Sequence, residues 1–282
     1  MTQLLRVLRE PDRIAGAIGV EGAEQRVIAA VAGKSRRGGQ PKRYTRSQYF
    51  LKNHRGKDST RVDAVALRTW RKTQRERLIT ARLALSPAQL DSWRERIDGF
   101  IERSFPGLAR SRVAFCWPVK NEYDARHLAR TLRSRGALTA LPAIVAPRSP
   151  LVFREWHPGV ALANGPLDIP FPVSSPEVLP DAVLLPMNGW DAQGYRLGYG
   201  GGYFDRTLAS LAKKPVTIGV SYELARLETI YPQSWDIPVD YVVTERGVYR
   251  RDDQELAFLG EPDPGSGVMS SPVCYADEIK KD

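Results

Sequence analysis

The sequence is poor in cysteine and has no long apolar run. Its 282 residues include two cysteines, Cys116 and Cys274, and no C-x-x-C pair, which argues against a zinc site or a redox dithiol. No stretch approaches the roughly 20 apolar residues that a membrane helix needs. The mixed-charge segment 1–13 lacks the apolar centre of a secretory signal. We therefore expect a cytoplasmic protein with no membrane partner, in which Cys116 is buried and unreactive.

Basic residues outnumber acidic ones, and the excess positive charge is distributed unevenly along the chain. The net charge is +10, with 42 Lys and Arg against 32 Asp and Glu. Residues 1–65 carry a net +8 and residues 252–282 a net −6, while a further basic cluster lies in 68–82. A localised basic patch can bind RNA, a triphosphate or a polyglutamate chain. Because no aromatic-rich RNA-binding motif accompanies the patches, nucleic acid is not the expected partner.

The composition divides the chain into three regions. Residues 1–62 are basic and polar, with glycines near 34–43, and we predict a disordered or weakly helical extension. Residues 63–251 have the periodicity of a folded domain. Residues 252–282 are acidic and rich in Pro, Gly and Ser, and we predict a disordered tail. The roles of the two terminal regions stay open.

Strand and helix patterns alternate through the central region. Two helices come first, a basic one over 68–82 and a second that begins at Ser86-Pro87, with Pro in the first turn. The alternation that follows predicts an α/β domain with a mostly parallel sheet flanked by helices. The predicted strands are 112–117, 137–141, 151–156, 182–185, 216–220 and 241–244, and the predicted later helices are 123–134 and 204–211.

A glycine-rich segment at 194–206 follows the buried strand 182–185 and leads into a predicted helix. Ligands of open α/β sheets bind where strand ends meet helix starts, and unshielded glycine N–H groups there favour phosphate. The segment has no Walker sequence, and a dinucleotide fingerprint fails because Tyr203 stands where its third glycine would be. A glycine cluster by itself can be a plain tight turn. The flanking Arg196 and Arg206 favour a phosphate loop instead.

One string within this segment, R-L-G-Y-G-G-G-Y-F-D-R at residues 196–206, is long and chemically unusual. It resembles the signature of the 5-formyltetrahydrofolate cyclo-ligase family, also called methenyltetrahydrofolate synthetases, and the resemblance extends over about residues 65–250. It implies an α/β fold related to sugar-phosphate isomerase and CoA-transferase domains. It also implies an enzyme that uses ATP and Mg²⁺ to convert 5-formyltetrahydrofolate to 5,10-methenyltetrahydrofolate, releasing ADP and phosphate.

Three other segments resemble the family in the expected order. Arg71-Lys72-x-x-Arg75 resembles its basic helix, whose Lys and Arg side chains grip the ATP phosphates. Glu122 corresponds to a Glu that hydrogen-bonds the pterin ring, and Asp236 to a Mg²⁺ ligand. Without the resemblance, these residues would be interpreted as a solvated basic face, a carboxylate at a helix N-terminus and a cap or surface charge.

The resemblance implies a complete set of site residues. Arg196 and Tyr203 would act in catalysis, and Asp205 with Asp236 would bind Mg²⁺. Trp117 and Tyr203 would pack against the folate, and we expect a monomer. The implied ATP-binding residues are Arg71, Lys72, Arg75, Arg196, Leu197, Gly198, Tyr199, Gly200, Gly201, Gly202, Tyr203 and Phe204, and the implied folate-binding residues are Trp117, Glu122, Tyr199, Gly200, Gly201, Gly202 and Tyr203.

Three places depart from the family pattern. Trp235 stands where many relatives have His or a small polar residue, Gly-Trp-Asp at 189–191 where many have Ala-Phe-Asp, and Phe171 lies in a segment that often carries Glu. These changes concern substrate contacts and leave the phosphate site intact. Two alternatives remain open: a sugar-phosphate enzyme on the same fold, and an inactive relative that binds RNA through residues 1–62.

Overall fold

The computed structural model describes residues 60–260. The predicted extension over 1–62 lies outside these residues except for 60–62, which already belong to the first helix. The predicted tail lies outside them from residue 261 onward, and the RNA-binding alternative, which depends on the extension, stays a prediction. Among the described residues, no helix combines the length and apolarity needed to cross a membrane.

The domain is built around one large sheet accompanied by two small ones. Short strands at 162–172 form a two-stranded ribbon, and short strands at 189–197 and 226–227 form a three-stranded sheet. The strands are β1 Arg112–Ala114, β2 Leu138–Ala143, β3 Val152–Trp156, β4 Leu162–Asn164, β5 Pro170–Pro172, β6 Ala182–Pro186, β7 Gly189–Asp191, β8 Arg196–Leu197, β9 Val216–Val220, β10 Arg226–Leu227, β11 Tyr241–Thr244, β12 Gly247–Asp252 and β13 Glu255–Gly260.

The large sheet has eight strands in the order β13-β12-β11-β9-β6-β1-β2-β3. The strands from β2 through β11 run parallel, and antiparallel strands extend both edges. The predicted α/β class with a mostly parallel sheet is confirmed. Strands β9 and β11 have the predicted bounds, because continuous apolar runs in a sheet covered on both faces leave a clear sequence pattern.

Four α-helices flank the sheet in the described part of the chain: α1 Thr60–Leu83, α2 Pro87–Ser104, α3 Arg126–Ser134 and α4 Tyr203–Ser210. The predicted start of α2 at Ser86-Pro87 is confirmed. Ser86 Oγ accepts a hydrogen bond from the Gln89 backbone N–H at 3.2 Å, and the Gln89 side chain accepts one from the Ser86 N–H at 3.1 Å. This reciprocal pair is a capping box, which fixes the first residue of a helix locally.

The core occupies both faces of the large sheet. Along β6, Leu184 points into a cluster with Ile97 and Ile101 of α2, while Val183 and Leu185 point into a second cluster on the opposite face. All of these side chains are buried, so β6 is enclosed on both sides as its apolar sequence predicts.

The segment between β1 and α3 differs from the sequence-based prediction. Strand β1 ends at Ala114 rather than 117, and α3 begins at Arg126 rather than 123. Between them, Lys120 and Asn121 adopt left-handed backbone conformations with φ of 50° and 58°, which turn the chain sharply. Two consecutive non-glycine residues in this region are uncommon, and the apolar pattern of the segment gives no sign of the turn.

The prediction of disorder is wrong for residues 252–260. Strand β13 pairs antiparallel with β12 and forms the outer edge of the sheet. The acidic residues Asp252 and Asp253 lie at the hairpin turn between these strands, where Asp253 has a φ of 51°. The negative charge therefore marks a solvated turn here, and the apolar side chains that follow belong to a strand.

The strand order creates a topological switch point. The chain passes from β1 to β2 on one side and then returns to place β6 on the other side of β1. Loops that leave neighbouring parallel strands in opposite directions open a crevice at the carboxyl ends of those strands, which is where α/β proteins bind ligands. The ends of β1 and β6 are therefore the expected position of a site.

Candidate active site

A cleft of about 1260 Å³ lies at this switch point. The segment after β1, the end of β6, helix α1 and the segment 196–206 form its walls, and a loop at 233–237 closes one end. Basic side chains predominate among its charged residues. They are Arg68, Arg71, Lys72, Arg75, Arg148, Arg196 and Arg206, against the carboxylates Glu122, Asp205 and Asp236.

Residues 198–202, here called the glycine loop, cross the cleft between β8 and α4. Gly200 and Gly202 have φ of +97° and +62°, a region that favours glycine. A Cβ on Gly201 would lie 2.8 Å from the Tyr203 ring, and one on Gly202 would lie 2.8 Å from the Arg206 guanidinium. Backbone geometry thus favours glycine at positions 200 and 202, and the close approach of the Tyr203 ring favours it at 201.

Two arginines hold the carbonyl groups of the glycine loop. Arg75 Nε, from α1, donates to the Gly198 carbonyl at 2.6 Å. Arg206, from α4, donates to the carbonyls of Gly201 and Gly202 at 2.6 and 2.9 Å. Within the described residues, the N–H groups of Gly200, Gly201 and Gly202 donate no hydrogen bond. Unpaired amides beside a helix N-terminus can bind an anion.

Helix α1 positions three parts of the cleft through three arginines on one side. Arg71 donates to Asp236 at 2.6 Å, Arg75 to the glycine loop, and Arg82 Nε to the Lys120 carbonyl at 2.7 Å. Steps of four and seven residues separate these arginines by about 6 and about 10 Å along the helix axis. The helix therefore sets the order of the cleft, from Asp236 through the glycine loop to the Lys120 turn.

The residues named from the sequence do not share one environment. Lys72 is 76% exposed at the rim, where its ammonium lies 3.9 Å from Glu76. The Arg196 side chain is 5% exposed; it donates to Asp205 at 2.8 Å and to the Ile237 carbonyl. Burial lowers the pKa of Arg196, although the Asp205 and Asp236 charges oppose that change. Leu197 of β8 is buried, and it is among the residues that line the cleft.

Each of the two aspartates predicted as metal ligands has an arginine partner. Asp205 Oδ1 accepts from Arg196 and from the Ile237 N–H at 3.1 Å. Asp236 Oδ2 accepts from Arg71 and from the Gln233 N–H at 2.7 Å. No group of three or more His, Cys, Asp or Glu side chains suited to a metal occurs in residues 60–260. An ion here would take most of its ligands from a bound substrate and water.

Glu122 lies at the other end of the cleft. Its side chain is 4% exposed and accepts hydrogen bonds from the Val119 N–H at 3.1 Å and the Tyr199 hydroxyl at 2.7 Å. Arg82 Nη2 lies 3.7 Å from the same carboxylate. Burial raises the pKa of Glu122, while the Tyr199 hydrogen bond and the Arg82 charge oppose that rise. The carboxylate is therefore poised to exchange hydrogen bonds with a polar ligand.

Cys116 and Trp117 line the cleft beside this carboxylate. The Arg126 guanidinium lies 4.7 Å from the centre of the Trp117 ring, a cation–π distance that fixes the indole orientation. Cys116 is half-buried at the cleft wall rather than enclosed in the core. Burial and the nearby Glu122 charge raise the pKa of its thiol, so little of the reactive thiolate forms near neutral pH.

The structure brings most of the sequence-predicted residues to one cleft, with two qualifications. Lys72 stays at the exposed rim, and Arg196 faces a carboxylate and a carbonyl rather than open space. Sequence reasoning missed Arg82, which ties α1 to both Glu122 and Tyr199. The signal was available, because Arg82 follows Arg75 by seven residues and so lies on the same helix side.

The fold and the cleft define an α/β protein with its ligand site at the topological switch point of a mostly parallel sheet. This chain belongs to the 5-formyltetrahydrofolate cyclo-ligase family, which it matches over residues 67–245. Membership identifies the chain as an enzyme, a ligase of folate one-carbon metabolism.

Named relatives agree with this assignment. The chain is 30% identical to the 5-formyltetrahydrofolate cyclo-ligase of Escherichia coli K12 over 176 residues, which are 60% of this chain and 96% of that protein. It is 31% identical to the Mycolicibacterium smegmatis cyclo-ligase over 140 residues, 46% of this chain and 72% of the relative.

Solved structures extend the likeness to the fold. The 5,10-methenyltetrahydrofolate synthetase of Aquifex aeolicus matches with a TM-score of 0.57 at 28% identity, covering 67% of this chain and 97% of that one. The synthetase from Mycoplasma pneumoniae matches with a TM-score of 0.51 at 20% identity, over 62% and 98%, and supports the fold alone.

Proposed function

We propose that this enzyme converts 5-formyltetrahydrofolate to 5,10-methenyltetrahydrofolate and hydrolyses ATP to ADP and phosphate in doing so. The observation that carries the proposal is the glycine loop, whose carbonyls accept hydrogen bonds from Arg75 and Arg206, while the N–H groups of Gly200, Gly201 and Gly202 have no acceptor among residues 60–260. Membership of the cyclo-ligase family supports the reaction proposed for this site.

The phosphates of ATP would lie along the glycine loop. The N–H groups of Gly200, Gly201 and Gly202 would donate to phosphate oxygens, and Arg75 and Arg71 from α1 would add positive charge. Arg196 supports the loop from below through its pair with Asp205, and Lys72 contributes charge from the rim. Phosphoryl transfer depends chiefly on such positioning and charge neutralisation.

Asp205 and Asp236 would hold Mg²⁺ together with phosphate oxygens and water. Mg²⁺ in nucleotide sites prefers one or two carboxylates and keeps several other oxygen ligands, which suits two aspartates already fixed by arginines. When bound, the ion would neutralise charge on the transferring phosphoryl group.

Folate would occupy the end of the cleft beside Glu122. A buried carboxylate is matched to the paired N–H donors of an aminopyrimidine ring, and Tyr199 and Arg82 keep it oriented. Trp117 and Tyr203 offer aromatic faces to the flat heterocycle. The heterocycle and the terminal phosphate would then meet at the glycine loop.

The reaction would begin when the formyl oxygen on N5 attacks the γ-phosphorus of ATP. The bond from that phosphorus to the ADP oxygen breaks, and an iminium phosphate forms. N10 then attacks the same carbon, phosphate leaves with the former formyl oxygen, and the N10 proton is lost, which leaves the methenyl bridge. The protein supplies orientation, exclusion of water and the charged groups described above.

The direct test is to mix purified protein, 5-formyltetrahydrofolate, ATP and Mg²⁺ and to record the near-ultraviolet absorbance of the methenyl product. We expect product in amounts equal to the ADP released, and no product without ATP. A matched control is the Arg75→Ala variant at the same concentration. Product formed without ATP, or ATP hydrolysis with no methenyl product, would contradict the proposal.

A further inference from the structure

Trp235 is a large aromatic side chain left exposed in the wall of the cleft. It is 67% exposed and lies with Ser234 at the tip of a turn that spans 233–236. An exposed tryptophan leaves a large apolar surface in contact with water. It is also uncommon at the tip of a tight turn, where small polar residues predominate. Its position in the cleft points to a ligand that covers it.

The turn that carries Trp235 is closed by two hydrogen bonds between its ends. The Asp236 N–H donates to the Gln233 carbonyl at 3.0 Å, and the Gln233 N–H donates back to the Asp236 carboxylate at 2.7 Å. Both ends of this short loop are therefore fixed by its own hydrogen bonds. A side chain at such a tip is presented in one place without ordering a mobile loop on binding.

Helix α1 ties the same loop to the rest of the cleft. Arg71 donates to the carbonyls of Ile230 and Tyr231 and to the Asp236 carboxylate. Trp70 packs edge-to-face against Tyr231, with ring centres 4.9 Å apart. Trp235 therefore has a defined position relative to α1, and through it to the glycine loop.

The order of contacts along α1 places Trp235 opposite the folate end. Arg82 lies beside Glu122. About 10 Å further along the helix axis, Arg75 contacts the glycine loop, and about 6 Å beyond that, Arg71 contacts the turn that carries Trp235. A nucleotide whose terminal phosphate faces Glu122 must extend its base in the other direction. That direction leads to Trp235.

We propose that Trp235 stacks on the purine base of the nucleotide and is a specificity-determining residue for the ATP co-substrate. This inference rests on the proposed function, because it takes the glycine loop as the phosphate site. An indole face binds any flat heterocycle and presents no pattern of hydrogen bonds to its edge. Because a purine offers a larger ring face than a pyrimidine, the contact favours purine triphosphates and discriminates little between ATP and GTP.

The test compares Trp235→Ala with the wild type by calorimetric titration of two ligands, Mg-ATP and inorganic tripolyphosphate with Mg²⁺. Loss of one stacked base should raise the Kd for ATP roughly 5- to 150-fold. The Kd for tripolyphosphate, which has no base, should stay within about twofold. GTP should lose affinity as ATP does, and CTP less, because its ring is smaller.

Two further variants separate stacking from general damage. Trp235→Phe should recover most of the ATP affinity, since it keeps an aromatic face. Leu179→Ala removes another side chain that is 67% exposed but does not line the cleft, and it should change neither Kd. In steady-state assays, Trp235→Ala should raise the KM for ATP and leave the KM for 5-formyltetrahydrofolate unchanged.

Several outcomes would overturn the inference. An unchanged Kd for ATP in Trp235→Ala would reject the inference. Equal losses of affinity for ATP and for tripolyphosphate would also reject it, because they would mean that Trp235 only positions Asp236. A raised KM for the folate alone would assign the indole to the other substrate. The proposed function can fail separately: selective loss of ATP affinity in a protein that forms no methenyl product would keep the base contact and reject the cyclo-ligase reaction.

Discussion

Arg196 and Asp205 form an ion pair of 2.8 Å at the base of the glycine loop, with side chains that are 5% and 23% exposed. Arg196 also donates to the Ile237 carbonyl, and Asp205 accepts from the Ile237 N–H. The pair thus joins β8, α4 and the loop that carries Asp236. A nearly buried guanidinium with two protein partners is placed to hold the surrounding loops in position.

This relationship makes Arg196→Ala a test of positioning. Removing one partner leaves Asp205 with an uncompensated charge, so we expect a loss of about 3 kcal/mol in the free energy of unfolding and a fall of roughly 10²–10³ in kcat. Urea unfolding and steady-state kinetics measure the two effects. The double variant Arg196→Ala/Asp205→Ala should be less destabilised than the sum of the single variants, and full additivity would show that the pair is not coupled.

Arg75 is expected to be the most important cation for the triphosphate. It holds the Gly198 carbonyl and faces the loop, and burial together with the Arg71 charge lowers its pKa without neutralising it. Arg75→Ala should lower kcat/KM for ATP roughly 10²–10³-fold. Lys72→Ala is the matched control on the same helix, and its exposed position predicts a change below about tenfold. The reverse ranking in a kinetic comparison would reject this view of the phosphate site.

Two glycines of the glycine loop should respond differently to alanine. A Cβ on Gly201 would lie 2.8 Å from the Tyr203 ring, whereas a Cβ on Gly198 would meet no other atom within 4 Å. We expect Gly201→Ala to displace the ring or the loop and to reduce kcat/KM for ATP by at least about tenfold. Gly198→Ala should stay within about threefold of the wild type. Equal activity of the two variants would show that close packing of Tyr203 on the loop is not needed.

The pH dependence of stability should report the burial of Glu122. Its folded-state pKa is raised, so the folded protein binds a proton more tightly than the unfolded chain. The stability due to this group is present below its unfolded pKa and is lost as pH rises through the folded pKa. Glu122→Gln cannot ionise, so its stability relative to the wild type should increase as pH rises from about 4.5.

The surface carboxylate of Asp181 should change stability with pH in the opposite direction. The Arg112 hydrogen bond lowers the pKa of Asp181, so the stability due to Asp181 is present above its unfolded pKa and is lost as pH falls through the folded one. Asp181→Asn should therefore cost stability near neutral pH and little in acid. Because the Arg112 and Asp181 side chains are both partly exposed, the loss in the free energy of unfolding should be below about 1 kcal/mol. Urea unfolding between pH 3 and pH 8 measures both variants, and parallel curves for the two would contradict these assignments.

The sequence predicted the α/β class and the glycine-rich segment before α4 because both depend on short-range patterns, while phosphate binding by that segment stays a prediction. The apolar runs of β9 and β11, the Ser86-Pro87 helix start and the glycines before α4 each involve residues close in the chain. It failed at the turn formed by Lys120 and Asn121, where left-handed conformations occur in residues that do not usually adopt them. It failed again at β13, whose acidic turn resembled a disordered tail.

Most residues of the cleft could therefore be predicted from the sequence, whereas their hydrogen-bond and ion-pair partners depend on the tertiary structure. Arg71 and Asp236 are 165 positions apart, and Arg75 and Gly198 are 123 apart. Local propensity contains no information about such pairs, because they form only when the fold brings α1 against the segments that follow β8 and β10. The sequence determined which groups can bind an anion; the fold decided which of them face the cleft and which are paired with each other.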